Sequence, residues 1–104
     1  MEIDTATSAK SAGLKISNRK VPGISREKIE IKSEEDDKIK IEWKYINPDG
    51  KILKDEERIV FLNSLAVPPA WTEVWFDSNS KGHIQATGKD DKGRLQYRYH
   101  PDWI

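Results

Sequence analysis

The chain has 104 residues, 18 basic and 18 acidic side chains, and no cysteine. This length allows one domain with a modest core, and the lack of cysteine excludes disulfides and thiolate metal sites. No apolar run is long enough to span a membrane, and the first ten residues lack the pattern of a secretory signal. We therefore expect a soluble cytoplasmic protein.

The N-terminal part divides into a leader and the start of a folded domain. Residues 1–20 are rich in Ser, Ala, Thr and Lys and contain no aromatic residue, which predicts a disordered leader. The domain is predicted to occupy residues 21–104, beginning with an extended segment up to Lys32. After a polar turn, the stretch "KIKIEWKYIN" alternates apolar and polar residues, which is typical of a half-buried strand. "NPDG" then suits a type I turn, and "KIL" is predicted to begin a return strand.

A helix is predicted to follow this hairpin. Asp55 can cap its N-terminus, with Glu56 and Glu57 in the first turn, where the helix dipole favours negative charge. Pro68 disfavours helical geometry at the residue before it, so the helix should end there. The apolar residues expected to face the core are Ile59, Phe61, Leu62, Leu65 and Ala66.

Three further strands are predicted in "WTEVWFD", "HIQATG" and "RLQYRY", joined by the turns "SNSKG" and "KDDKG". In the second of these strands, alternation places Ile84 and Ala86 inward and His83, Gln85 and Thr87 outward. Short turns join antiparallel strands. The predicted fold class is therefore α+β, with an antiparallel sheet of about five strands packed against one main helix.

Residue chemistry argues against a catalytic or metal site within this chain. His83 and His100 stand alone on different elements, whereas zinc sites use three or four ligands. A tyrosine could attack phosphorus, but only among positioned cations and a general acid. We predict no metal, no cofactor and no catalytic residue in this chain.

Charge is unevenly distributed along the neutral chain. Between Lys81 and His100, five lysines or arginines stand against two aspartates. Because the Debye length is only about 8 Å at physiological salt, a neutral protein can still present a basic face to nucleic acid. A solvated surface of mixed sign is the plainer interpretation of the same charges.

The stretch "GKDDKGRLQYRY" has the residue types of a DNA contact. Arg and Gln can form paired hydrogen bonds to guanine and adenine, and Lys in a turn can reach phosphates. However, Leu95, Tyr97 and Tyr99 alternate together, so both tyrosines could equally belong to the buried face, with their hydroxyls reaching water. The pattern alone leaves these alternatives open.

Three motifs in order resemble a known family. "PPAWTEVW" (residues 68–75), "GHIQATG" (82–88) and "GRLQYRYHPDW" (93–103) closely resemble the N-terminal domain of bacterial and poxvirus-type type IB DNA topoisomerases. The resemblance covers roughly residues 23–104. These enzymes relax supercoiled DNA by cutting and resealing one strand through a 3′-phosphotyrosyl link, without ATP or an obligatory metal. In them, a C-terminal domain of the same polypeptide carries the catalytic residues.

The resemblance implies a duplex-DNA-binding clamp domain, acting as a nucleoid-associated monomer beside that catalytic domain. The implied DNA-binding residues are Lys92, Arg94, Gln96, Tyr97 and Tyr99. Lys92 and Arg94 would hold phosphates, and the other three would approach base edges in the major groove. Leu95 stands where many relatives have a basic residue, which removes one expected cationic contact.

Other residues and functions stay open on the sequence alone. His83 and Gln85 are weaker candidates for DNA contact, and Trp43, Trp71 and Trp75 are expected in the core. A protein-interaction module of the same fold without DNA binding is the alternative function, motivated by zero net charge, the acidic clusters and Leu95. A single-strand binder that stacks bases on its tyrosines is a third possibility.

Overall fold

The computed structural model describes residues 13–103, which contain five strands and one helix. The elements in chain order are β1 (Ser25–Lys32), β2 (Ile39–Ile46), α1 (Glu56–Ser64), β3 (Thr72–Phe76), β4 (Ile84–Lys89) and β5 (Leu95–Tyr99). The α+β class and the strand number are confirmed. The strands form two antiparallel sheets instead of one, a hairpin of β1 and β2 and a three-stranded sheet in the order β3-β4-β5.

A single bridge joins the two sheets at the centre of the core. Ile24 and Phe76 exchange backbone hydrogen bonds of 2.8 and 2.9 Å, and both side chains are buried. Helix α1 packs Leu62 and Leu65 into the same cluster. The buried members of the cluster are Ile24, Tyr45, Leu62, Leu65, Val67, Phe76 and Ala86.

Only one end of the β1–β2 hairpin is buried. Tyr45 near its base is 4% exposed, whereas Ile41 and Ile39 farther out are 42% and 61% exposed. The predicted strand is confirmed, but half-burial holds only near the core. The predicted return strand is limited to one bridge between Ile46 and Ile52.

Helix α1 begins as its sequence predicts and ends early. The Asp55 carboxylate accepts a hydrogen bond from the Arg58 backbone N–H at 3.2 Å, and the first turn is acidic. The helix ends at Ser64, and Ala66 has a φ of 52°. Ala66 is exposed, and its predicted inward position is wrong because the chain leaves the helix to reach the prolines.

A bulge in β4 changes which side chains face the core. Ile84 pairs with Tyr99 and Ala86 pairs with Arg98, with an irregularity between them. Because Arg98 and Tyr99 point to opposite faces of β5, Ile84 and Ala86 also lie on opposite faces. The extra residue is Gln85, which is fully buried and accepts a hydrogen bond from Arg58 Nη2 at 3.0 Å. A bulge interrupts strict alternation, so the predicted outward position of Gln85 is wrong.

The predicted leader lies partly outside the described residues, at residues 1–12. Its remainder contacts the loop between β3 and β4. Lys15 donates its N–H to Lys81 O at 2.7 Å and accepts from the His83 N–H at 2.8 Å. Ser17 Oγ donates to Asp77 Oδ2 at 2.6 Å. The sequence does not predict these contacts, because a single serine among polar residues gives no signal of a distant buried partner.

Candidate nucleic-acid interface

A tight turn joins β4 to β5 and presents two basic residues. The Asp90 N–H donates to Arg94 O, and the Gly93 N–H donates to Asp90 O, both at 3.0 Å. Gly93 has a φ of 75°, which glycine adopts without steric cost, as in three-residue hairpin loops. The predicted turn is confirmed, and it holds Lys92 and Arg94 at one end of the β4–β5 hairpin.

The carboxylate of Asp90 organises this turn through four hydrogen bonds. Its Oδ1 accepts from the backbone N–H groups of Lys92 and Arg94, each at 2.9 Å. Its Oδ2 accepts from Arg94 Nε at 2.9 Å and from Gln96 Nε2 at 3.0 Å. Three of the five candidate DNA-binding residues therefore meet at one acidic side chain.

These bonds keep Asp90 ionised. Desolvation of the carboxyl group opposes ionisation, but the hydrogen bonds from Arg94, Gln96 and Lys92 together outweigh it and lower the pKa of Asp90 to about 2. The side chain is 11% exposed, whereas that of Arg94 is 64% exposed. Arg94 bonds Asp90 through Nε, so its terminal nitrogens can meet a ligand.

Several cations of this region are already engaged. Lys89 forms an ion pair with Glu73 at 2.7 Å, which lowers the pKa of Glu73 by hydrogen bonding and charge attraction. Arg98 donates from Nε to Leu65 O at 3.1 Å and lies 4.8 Å from the ring centre of Trp71. The basic patch is therefore weaker than residue counting indicates, and its exposed part is concentrated at the turn.

The tyrosines of β5 lie on the open face of the three-stranded sheet. Tyr97 and Tyr99 are 37% and 49% exposed, and their rings stack with centroids 6.1 Å apart and an interplanar angle of 19°. Trp103 continues the row, 6.4 Å from Tyr99 at 17°. Arg98, between the tyrosines in sequence, bonds the helix C-terminal residue Leu65. Leu95, Tyr97 and Tyr99 thus share one face, and that face is exposed at both tyrosines.

Gln96 lies on the other face of β5. Strand alternation separates it from both tyrosines, and it is half-buried. The five candidate residues consequently form two groups, one around Asp90 and one in the aromatic row. Since β5 is the outer strand of its sheet, a ligand approaching this edge can reach both groups.

The weaker candidates are not available for contact. His83 is 5% exposed, and its Nδ1 accepts from the Ser17 N–H at 3.0 Å. Gln85 is held by Arg58 and by Gly82 O. The expected outward positions of His83 and Thr87 are wrong as well, because both faces of β4 are covered at these residues.

The tryptophans and the possible metal ligands lie away from this edge or apart from one another. Trp43 and Trp71 are partly buried against the core cluster, as expected. Trp75 instead bonds the Val21 carbonyl from Nε1 at 2.9 Å. Between residues 13 and 103, no three His, Asp or Glu side chains are grouped so as to hold a metal ion. In the same range there is no helix with the length and apolarity needed to cross a membrane.

Sequence reasoning missed two members of this surface, Asp90 and Trp103. In the sequence, Asp90 stands out only as a charge opposing DNA, although an Asp two residues before a backbone N–H commonly forms such a turn. Trp103 lies four residues beyond Tyr99, past the end of β5, so the strand period does not connect them.

Comparison with known proteins points to the same family. A family model described as "Bacterial DNA topoisomerase IB, N-terminal domain" matches residues 42–90. A DNA topoisomerase 1B from Acanthamoeba polyphaga mimivirus is 47% identical over 60 residues, which is 58% of this chain and 17% of the viral protein. The resemblance to the N-terminal domain of type IB DNA topoisomerases is confirmed. In this topoisomerase-like domain, the family match ends at Asp90, so the basic residues of the turn and the aromatic row of β5 follow the matched region.

Proposed function

We propose that this chain is the duplex-DNA-binding N-terminal domain of a type IB DNA topoisomerase. The observation that carries the proposal is the edge strand β5, where an exposed stacked pair, Tyr97 and Tyr99, adjoins an exposed turn with Lys92 and Arg94. The family match supports the topoisomerase assignment, and the geometry of β5 supports the DNA contact.

In the proposed complex the β4–β5 ribbon enters the major groove, which is wide enough for two strands. Lys92 and Arg94 bind phosphates from the turn, and Gln96, Tyr97 and Tyr99 approach base edges. The domain acts as a monomer on DNA in the cytoplasm. A C-terminal domain of the same polypeptide performs ATP-independent cleavage and religation of one strand, and this chain supplies no catalytic residue.

The test is a titration of the ¹⁵N-labelled chain with a short duplex at low salt, repeated for Arg94→Ala. We expect shifts concentrated between Lys92 and Tyr99. We also expect Arg94→Ala to weaken binding and to reduce the slope of log K against log salt by about 0.9, the value of one phosphate contact. The matched control is Lys40→Ala, which also removes an exposed cation paired with a carboxylate, Glu42 at 3.3 Å.

Equal affinity and salt slope for Arg94→Ala and wild type would contradict the proposed contact. Tighter binding to a single strand of the same sequence would instead support the stacking mode, in which bases pack on the aromatic row. Supercoil relaxation by the pure chain would contradict the assignment of catalysis to another domain.

A protein-interaction module is the second candidate, and the β1–β2 hairpin favours it. Four isoleucines of this hairpin are 37–61% exposed, namely Ile29, Ile31, Ile39 and Ile41. A contiguous exposed apolar surface is typical of protein contacts. This function predicts a partner whose capture resists salt and is lost when Ile41 is replaced by Lys, with duplex binding absent.

A further inference from the structure

We infer that Asp90 fixes the side-chain amide of Gln96 so that its carbonyl oxygen faces outward, which makes Gln96 a reader of adenine in the major groove. The inference rests on the proposed duplex binding and adds a positioning residue and a base preference to it. Both come from the hydrogen bonds around one carboxylate.

The orientation of the amide follows from the chemistry of its partner. An ionised carboxylate only accepts hydrogen bonds, and Asp90 Oδ2 lies 3.0 Å from Gln96 Nε2. The reversed amide would place two acceptor oxygens against each other. The NH₂ group of Gln96 must therefore face Asp90, and Oε1 must face away from it.

A second contact makes this arrangement rigid. Arg94 Nε donates to the same Oδ2 at 2.9 Å, while Oδ1 is held by the backbone N–H groups of Lys92 and Arg94. The carboxylate cannot rotate without breaking bonds at both oxygens. Asp90 thus orients Arg94 and Gln96 before any ligand arrives, which reduces the entropy lost on binding.

The groups that Gln96 keeps free match one base. One hydrogen of Nε2 is used by Asp90, which leaves one N–H donor and the Oε1 acceptor. Adenine presents an acceptor at N7 and a donor at its N6 amino group in the major groove, whereas guanine presents acceptors at both N7 and O6. The locked amide can therefore pair twice with adenine, and guanine would leave Oε1 against an acceptor.

Asp90→Asn tests the lock with little change in shape. The new side chain can still accept from Lys92 N and Arg94 N through its oxygen, so the turn is retained. Its NH₂ group replaces Oδ2 and can donate to Gln96 Oε1, which reverses the Gln96 amide. The free groups are then donors, which match the two acceptors of guanine. We expect the base preference to change from adenine to guanine.

The probes are one mixed-sequence duplex in three forms: unmodified, with every adenine replaced by 7-deazaadenine, and with every guanine replaced by 7-deazaguanine. Wild type should bind the 7-deazaadenine duplex about fivefold or more weakly, the lower end of one paired base contact. Asp90→Asn should lose this dependence and instead discriminate against the 7-deazaguanine duplex. Gln96→Ala should lose both dependences while keeping the salt slope of wild type.

The outcomes separate the inference from the proposed function. Duplex binding by wild type that is indifferent to adenine N7 overturns the inference alone, as does a dependence on adenine N7 that survives in Asp90→Asn or in Gln96→Ala. Absence of binding to any form of the duplex overturns the proposed function and the inference with it. Gln96→Ala keeps the test decisive if Asp90→Asn does not fold, because its own loss of adenine dependence is required.

Discussion

Arg26 is the residue through which the β1–β2 hairpin is fastened to the chain that follows the helix. Its guanidinium donates from Nη1 to Val67 O at 3.0 Å and from Nη2 to Pro68 O at 2.6 Å. It also lies 3.9 Å from the ring centre of Trp43. Burial lowers the pKa of Arg26, and Tyr45 nearby acts in the opposite direction. We predict that Arg26→Met, which keeps an unbranched apolar stem, destabilises the domain substantially.

The magnitude follows from the interactions that the guanidinium makes. A hydrogen bond from a charged donor contributes about 1.5–3 kcal/mol, and a cation over an exposed aromatic ring about 0.5–1 kcal/mol. Removing the guanidinium also removes the cost of its partial burial. We therefore expect a net decrease of about 2–3 kcal/mol in the free energy of unfolding. A domain of this size has about 5–14 kcal/mol in total, so the melting temperature should fall by roughly 10–20 °C.

The assay is urea unfolding followed by tryptophan fluorescence, with Lys28→Met as the matched control. Lys28 lies on the same face of the same strand, opposite Trp43, and it pairs with the exposed Glu30 at 3.4 Å. Surface pairs of this kind contribute about 0–1 kcal/mol. If Arg26→Met unfolded at the same urea concentration as Lys28→Met, the fastening role of Arg26 would be refuted.

Two further predictions concern the turn and the N-terminal contacts. Because the pKa of Asp90 is lowered to about 2, its contribution to stability is present above the unfolded pKa near 4 and is lost as pH falls toward 2. The difference in thermal stability between wild type and Asp90→Asn should therefore shrink between pH 4 and pH 2, and a constant difference would contradict the assigned bonds. Gly82→Ala should release the segment around Ser17, because an added Cβ would lie 2.6 Å from Ser17 Oγ and closer still to the Asp77 carboxylate. Faster amide exchange at His83, whose N–H is bonded to Lys15 O, would report this release, and unchanged exchange would argue against it.

Local patterns predict the elements well because each element satisfies its own rules. The alternation from Ile39 to Tyr45, the cap at Asp55 and the glycine turn at Gly93 each depend on neighbours within a few residues. The same is true of the aromatic row, since Tyr97 and Tyr99 are two residues apart in one strand. These features are predictable without knowledge of the rest of the fold.

Features that depend on distant partners are not predictable in this way. The buried position of Gln85 requires Arg58 on the helix, and the order of the segment around Ser17 requires Asp77 in a later loop. The split into two sheets depends on a single bridge between Ile24 and Phe76. In the candidate site, the sequence predicts the residue types, but it does not show that one carboxylate groups them.

The bulge at Gln85 constrains how this strand can change during evolution. Residues on its two sides obey opposite assignments, with Ala86 in the core and Ile84 paired with Tyr99 on the other face. Loss of one residue here would restore strict alternation and exchange the inner and outer faces of half the strand. Substitutions can accumulate at individual positions of β4, but its length is fixed, so aligned relatives should show gaps in the neighbouring turns and not within this strand.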